Sequence, residues 1–362
     1  MITISLCMIV KNEEETLERC LTSVKNIANE IIIVDTGSTD STKQIAARFT
    51  NKIVDFTWID DFAAARNFAF QQATKSYILW LDADDVFEKV DREKFIQLKK
   101  TLDSSYNTVM MPYHLSFDHT GKPTFSMRRN RLVRRDCNFV WIGAVHEYLE
   151  VSGKCLQSEI AVTHKKERVY TDRNLRIYRK KVESGESLST RDLFYYANEL
   201  YDHSLVEQAS VIYETFWATK LGWIEDRITS CLKLADCYSR MGEYEKQLQV
   251  LFRSFELDTP RAEICCRLAA FFMENKRWNQ AKHWYLVATI LGEPPLTGGM
   301  IDLPSWTWLP HIQLCVCYDR LGNYEMAYRH NEIALTYQPT HSSMLSNKSY
   351  LEKVLAQRKQ ET

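Results

Sequence analysis

Apolar and polar positions follow two different rhythms along this chain. In the first half, strand-length apolar runs at Ile2–Val10, Glu30–Val34 and Tyr77–Leu81 are separated by stretches of helical spacing. Those stretches run from Asn12 to about Ile27, over Lys43–Phe49 and over Ala63–Ala73. The first opens on Glu13-Glu14-Glu15, acidic residues that suit the positive end of a helix dipole. Ile53–Phe56 adds a short strand. The alternation predicts a mostly parallel α/β sheet with helices on both faces. Between residues 107 and 164 the rhythm shortens: Thr108–Tyr113, Arg131–Arg134, Val140–Ile142 and Ile160–Val162 read as brief strands that complete the sheet, with a turn at Asp118–Pro123.

From about Asp192 the chain reads as all helical and repeats itself. Leu234, Ala235, Tyr238, Gly242 and Tyr244 recur 34 residues later as Leu268, Ala269, Phe272, Lys276 and Trp278. A further copy holds Leu314, Cys315, Tyr318, Gly322, Tyr324, Ala327, Ala334 and Pro339, and a degenerate first copy holds Ala197, Leu200, Ala209, Tyr213 and Phe216. This period and pattern resemble tetratricopeptide repeats, which stack into a curved solenoid because no single repeat can bury its own apolar face. The segment Gly292–Trp306, with its Pro and Gly pairs, is an insertion expected to project as a loop. The expected domains are residues 1–170, a helical linker over 171–190, and a repeat domain over 191–362.

Composition narrows the function classes. A length of 362 residues accommodates two cores. With 46 basic and 47 acidic residues the chain has no bulk charge for nucleic acid or an acidic membrane. Its ten cysteines form no CxxC pair, and several sit in apolar contexts where the thiol acts as a small hydrophobe, which favours a reducing compartment. The opening MITISLCMIVKNEEE lacks a basic n-region, and no run reaches the length of a membrane span, so a cytoplasmic protein is expected.

The chemistry concentrates at Ser76–Asp85, SYILWLDADD, an apolar run that ends in three carboxylates. Open α/β sheets bind their ligands at the carboxyl ends of strands. Hard oxygen ligands suit Mg²⁺ or Mn²⁺, ions commonly shared between one or two carboxylates and substrate phosphates. A metal-dependent enzyme acting on a nucleotide diphosphate is the first reading; Asp85 alone also fits a helix N-cap in a solvated first turn.

Five blocks together resemble the family 2 glycosyltransferases of the GT-A fold: Met8–Glu14 (MIVKNEE), Ile31–Thr42 (IIIVDTGSTDST), Asp61–Ala69 (DFAAARNFA), Tyr77–Asp85 (YILWLDADD) and Gly143–Leu149 (GAVHEYL). With the repeats, the combination is similar to the bacterial subgroup that includes the peptide S-glycosyltransferases of the sublancin type. The resemblance implies a Rossmann-like GT-A domain followed by an all-α tetratricopeptide-repeat solenoid. It also implies inverting transfer from a nucleotide-sugar, UDP-glucose or UDP-N-acetylglucosamine. In that frame Ile9, Val10 and Glu13 line the nucleobase pocket and Asp35 accepts from uracil N3–H. Gly37 and Ser38 form the tight turn beside the nucleotide, and Arg66 contacts nucleotide or diphosphate. Asp82 and Ala83 lie along the ribose, with Asp82 touching the metal through water. Asp84 ligates Mg²⁺ or Mn²⁺ directly, and His164 or His146 supplies a further ligand. Arg128 or Arg131, from the basic run RRNRLVRR, clamps the diphosphate, and Glu147 is the general base. The acceptor is expected to be a peptide or protein, with a cell-envelope or spore-surface glycan as the alternative. The repeats either present that acceptor or pair two chains into a homodimer. A non-catalytic assembly protein is the remaining alternative. A nucleotidyltransferase is disfavoured because Lys11-Asn12-Glu13-Glu14 stands where its glycine-rich phosphate loop belongs.

Overall fold

A computed structural model describes residues 1–165 and 171–361. The chain forms two compact units, Met1–Leu188 and Ser189–Thr362. The boundary expected at 170 adjoins residues 166–170, which lie outside the described residues.

The first unit is built on β1 (Ile4–Val10), β2 (Glu30–Asp35), β3 (Ile53–Asp55) and β4 (Tyr77–Trp80), which are parallel in the order β3-β2-β1-β4. The helices α1 (Leu17–Ser23), α2 (Thr42–Ala47) and α3 (Phe62–Gln71) connect them. The chain leaves β1 in one direction for β2 and returns on its other side for β4, so the strand order reverses at β1, where such sheets open a crevice. After β4 come β5 (Asp85–Val86), α4 (Lys89–Thr101), β6 (Thr108–Phe117), β7 (Pro123–Arg134), β8 (Val140–Ile142), β9 (Tyr148–Glu150), β10 (Cys155–Gln157) and β11 (Val162–His164). The sheet continues β4-β7-β6-β11-β5, with β7 antiparallel to both β4 and β6. β10 also pairs with β6, while β8 and β9 form a separate ribbon.

The unbroken apolar character of the central strands is explained by a core on each face. Ile4, Leu6, Met8, Leu79 and Leu132 join one core with Leu17, Leu21 and Phe95; Cys7, Ile32, Val34, Ile78 and Val133 join the other with Ala69 of α3 and Ala73 just beyond it. The period of two along each strand sends successive side chains to opposite cores.

Several elements differ from the sequence expectation. The first helix starts at Leu17, because Asn12 has φ +55° and Glu13 opens a turn instead. The helix α4 is strongly polar and was not anticipated. β7 runs for 12 residues, its polar first half being held by the β6 hairpin rather than by burial. Asp85 is not a solvated N-cap: it is completely buried in β5, antiparallel to β11. The segment expected as a helical linker holds a helix, α5 (Arg173–Glu183), whose Leu175, Ile177 and Tyr178 are buried and which falls within the first unit.

The second unit stacks helical hairpins: α6 (Thr190–Asp202) with α7 (Val206–Ala218), α8 (Ile224–Arg240) with α9 (Tyr244–Arg253), and α10 (Ala262–Glu274) with α11 (Trp278–Thr289). The short α12 (Leu303–Trp306) precedes the pair α13 (Leu309–Arg320) and α14 (Tyr324–Tyr337), and α15 (Ser342–Glu361) packs on α14. The repeated residues define the hairpin turn. Ser204, Gly242, Lys276 and Gly322 all have positive φ. In each case the next residue's N–H donates to a carbonyl five residues back, that of Leu200, Tyr238, Phe272 or Tyr318. These are Schellman turns in repeat register, which is why a glycine recurs there. No helix among the described residues is long and apolar enough to cross a membrane.

At the end of the sheet away from the acidic loop, Glu30 ties several elements together. Its carboxylate accepts from Ser5 Oγ at 2.5 Å, from Thr74 N and Oγ1 each at 2.9 Å, and pairs with Lys52. Burial pushes Glu30 up, but its bonds to Lys52, Ser5 and Thr74 outweigh this and hold the carboxyl at about 2. Because the folded value lies below the unfolded one, this stabilisation is complete above about pH 4.5 and is lost as pH falls toward 2. Glu30→Gln should cost roughly 1–3 kcal/mol at pH 7, by urea titration. The gap to wild type should shrink between pH 4.5 and 2.

Candidate active site

The loops after β1, β2 and β4 meet at the carboxyl ends of their strands. The first two are laced together: Asn12 N donates to Ser38 Oγ at 2.9 Å, Thr39 N to Asn12 Oδ1 at 2.7 Å, and Glu13 N to Thr42 Oγ1 at 2.6 Å. Glu13's carboxylate accepts from the Thr16 hydroxyl, and its backbone carbonyl accepts from Thr16 N and Leu17 N at the start of α1. Val10 is buried and Ile9 half-buried on β1. Asp35, at the end of β2, is 2 % exposed. Its Oδ2 accepts from the N–H groups of Gly37 and Ser38, whereas its Oδ1 is buried with no hydrogen-bond partner among the described residues. Gly37 has φ +100° with open space where a Cβ would stand, so its backbone conformation rather than crowding calls for glycine.

The acidic loop divides its carboxylates. Ala83 is buried in the core and anchors the loop. Asp82 turns to Arg66 of α3, Nη2–Oδ1 2.6 Å, and the same guanidinium reaches Glu147, Nε–Oε1 2.5 Å. Arg66 lies between Trp80 and Trp141, 5.1 and 4.9 Å from the ring centres. Asp61 caps α3 by accepting from Ala64 N at 2.9 Å. Asn67 forms two bonds with the backbone of Trp141, which seats β8 and therefore the loop bearing Glu147. Burial pushes Asp82 up, but Arg66 and Arg131 outweigh this and hold its carboxyl at about 2. Burial disfavours the Arg66 cation, yet Asp82 and Glu147 push it further up.

Asp84, Asp85 and His164 form the other cluster, offering ligand atoms within 4.8 Å of one another. His164 stands opposite Asp85 in the β5–β11 pairing, and Lys165 N donates to Asp84 O at 2.8 Å. His164 Nδ1 lies 3.4 Å from Asp84 Oδ1 and 3.3 Å from Asp85 Oδ1. Burial pushes His164 down, but hydrogen bonds and charge from Asp84 and Asp85 hold it at about 10. Two hard carboxylates and an imidazole are a donor set that fits Mg²⁺ or Mn²⁺. Asp82 and His146, the other expected ligands, are not in this set; His146 occupies a left-handed position with φ +51°. Arg128 is engaged with Gln157, the Ser158 carbonyl and Glu159. Arg131 is fully buried, 3.9 Å from the Trp80 ring centre and 4.3 Å from that of Tyr113.

Residues 5–149 match the family described as Glycosyl transferase family 2. The N-terminal unit carries a family 2 glycosyltransferase domain. The glycosyltransferase SunS of Bacillus subtilis prophage SPbeta is 34% identical over 148 residues, which cover 40% of this chain and 34% of that protein. A TPR repeat-containing protein of Synechococcus elongatus is 38% identical over 165 residues, covering 44% and 38%. A lipopolysaccharide core biosynthesis glycosyltransferase, LpsC of Rhizobium meliloti, is 30% identical over 142 residues, covering 36% and 51%. The matches thus span about a third to a half of these relatives. Among solved structures, the MamA protein aligns at 14% identity and TM-score 0.37, covering 47% of this chain and 85% of that one.

In this glycosyltransferase domain the sequence pointed to Arg66, Asp84, Glu147 and His164, while it offered Asp85 a helix N-cap and Asn67 only a helix-positioning role. Asp85 had a signal, since a third carboxylate on an apolar strand end is costly to bury unpaired. Arg66→Met should strand the two carboxylates around it. Discounting Asp82, which is about a third exposed, the expected loss is roughly 3 kcal/mol in thermal or urea unfolding, with Arg66→Lys intermediate.

Proposed function

We propose that this chain is an inverting glycosyltransferase that moves a sugar from a UDP-sugar, UDP-glucose or UDP-N-acetylglucosamine, to a peptide or protein side chain with the help of Mg²⁺ or Mn²⁺. The observation that carries the reading is the Arg66 bridge, which sets the acidic loop and Glu147 against one guanidinium. Asp35 Oδ1, a buried acceptor lacking a partner among the described residues, suits the N3–H of uracil. Asp84 and His164 are the residues to hold the cation, which supplies positive charge at the departing diphosphate. Glu147 takes the proton from the acceptor hydroxyl or thiol as that atom attacks the anomeric carbon and UDP leaves from the opposite side. Arg66 orients Glu147 and remains a cation throughout. The helical hairpins are a surface suited to an extended polypeptide acceptor. The similarity to LpsC favours a cell-envelope glycan as the second reading.

Calorimetry with UDP, GDP and dTDP, each with and without Mn²⁺, tests the donor site. UDP should bind with metal dependence, Asp84→Ala should abolish that dependence, and Asp35→Ala should weaken UDP and dTDP, which share the N3–H donor, more than GDP. Equal binding of all three nucleotides to the wild type would remove the uracil assignment. In a UDP-release assay with peptide or envelope-glycan acceptors, Glu147→Gln should bind UDP normally and lose about 10²–10⁴-fold in turnover. Unchanged turnover would remove Glu147 as base.

A further inference from the structure

Asp85 is a heavily engaged carboxylate that the proposed mechanism does not use. It is completely buried. Its Oδ2 accepts from Asp82 N at 3.0 Å and faces Arg131 Nη2 at 3.0 Å; its Oδ1 accepts from the Tyr113 hydroxyl at 2.9 Å and faces His164 Nδ1 at 3.3 Å. An ionised carboxylate has about four lone-pair directions. Three hydrogen-bonding groups and one guanidinium face it here, whereas Asp84 keeps a partly exposed side chain.

The hydrogen positions follow from this arrangement. Tyr113 has one hydroxyl hydrogen, and its oxygen lies 2.9 Å from both Asp85 Oδ1 and His164 Nδ1. A carboxylate oxygen can only accept, so the hydrogen points at Asp85 and the phenol oxygen accepts from the imidazole. Nδ1 therefore carries a proton, which also faces the oxygens of Asp84 and Asp85. The remaining lone pair of a neutral His164 is on Nε2. A histidine that ligates a metal through one nitrogen commonly donates the other N–H to a carboxylate.

We propose that Asp85 is a positioning residue and not a ligand: with Tyr113 it holds Nδ1–H of His164 so that Nε2 and Asp84 take the divalent cation, while the buried Arg131 faces the other Asp85 oxygen at 3.0 Å. The inference rests on the cation-assisted reading above. Arg131 meets Asp85 by charge alone, since neither its Nη2 nor its Nε makes a hydrogen bond among the described residues. Removing only Asp85 would strand that charge in the interior, so the test removes both.

Binding of Mn²⁺ in the presence of saturating UDP is followed by the loss of the free-ion electron paramagnetic resonance signal. Asp84→Ala should abolish binding. The pair Arg131→Met with Asp85→Ala should weaken it about 10–100-fold, the usual effect of losing a group that orients a ligand. Arg131→Met with Asp85→Asn, whose amide oxygen still accepts Nδ1–H, should bind more tightly than the alanine pair. If both pairs have native circular dichroism and bind as poorly as Asp84→Ala, Asp85 is a ligand and the proposal is overturned. Should neither pair fold, the ¹⁵N histidine spectrum of the wild type with Mg²⁺ and UDP decides: a proton on Nδ1 of His164 is expected, and one on Nε2 overturns the proposal. Failure of the wild type to take up any Mn²⁺ with UDP is a separate result that removes the cation-assisted reading itself, and this inference with it.

Discussion

Two guanidinium groups are buried against one indole, and much of the glycosyltransferase domain is arranged to make that tolerable. Arg131 and Arg66 lie 3.9 and 5.1 Å from the Trp80 ring centre. Stacking on aromatic faces contributes about 0.5–2 kcal/mol per contact, well short of the cost of desolvating a cation, so each arginine also needs a carboxylate. Arg131 takes Asp85; Arg66 takes Asp82 and Glu147. Three of the acidic side chains that give the crevice its character are therefore required by the fold. The loop after β4 cannot leave its position without exposing the interior to uncompensated charge. Site geometry and domain stability are in this sense one constraint.

That coupling explains what the sequence revealed and what it concealed. The strands β1, β2 and β4 were legible because burial on both faces makes them apolar throughout. The repeats were legible because each hairpin needs the same small and aromatic residues and the same left-handed turn. Arg131 was not distinguishable within RRNRLVRR, where five arginines share one chemical type. What separates it from Arg128 is tertiary: Trp80 and Tyr113 enclose one, while residues 157–159 engage the other. Asp85 was obscured in the same way, since a carboxylate beside an acidic motif looks solvated until its buried partners are known. The β7 strand was read too short because its first eight residues owe their conformation to hairpin partners rather than to an apolar pattern.

The second unit solves a different problem by local means. Its hairpins share one turn, and glycine stands at only two of the four left-handed positions; Ser204 and Lys276 occupy the others. A side chain in that conformation costs roughly 1–2 kcal/mol, which the packing of each repeat on its neighbours must offset. Stability there is spread across interfaces between repeats, whereas in the glycosyltransferase domain a few buried ion pairs carry disproportionate weight.

Charge balance at the crevice connects these pairs to the proposed chemistry. Asp82, Asp84, Asp85 and Glu147 bring four carboxylates against the two guanidiniums of Arg66 and Arg131. Two of the carboxylates are held in place by Arg66 and one by Arg131, so the excess negative charge falls mainly on Asp84. His164, held up at about 10, meets part of that excess as an imidazolium. A divalent cation meets all of it and adds attraction for a diphosphate, which a protonated histidine cannot match in charge. On the proposed reading, the buried arginines fix three carboxylates as permanent structure and leave Asp84 as the one whose charge is available to a ligand.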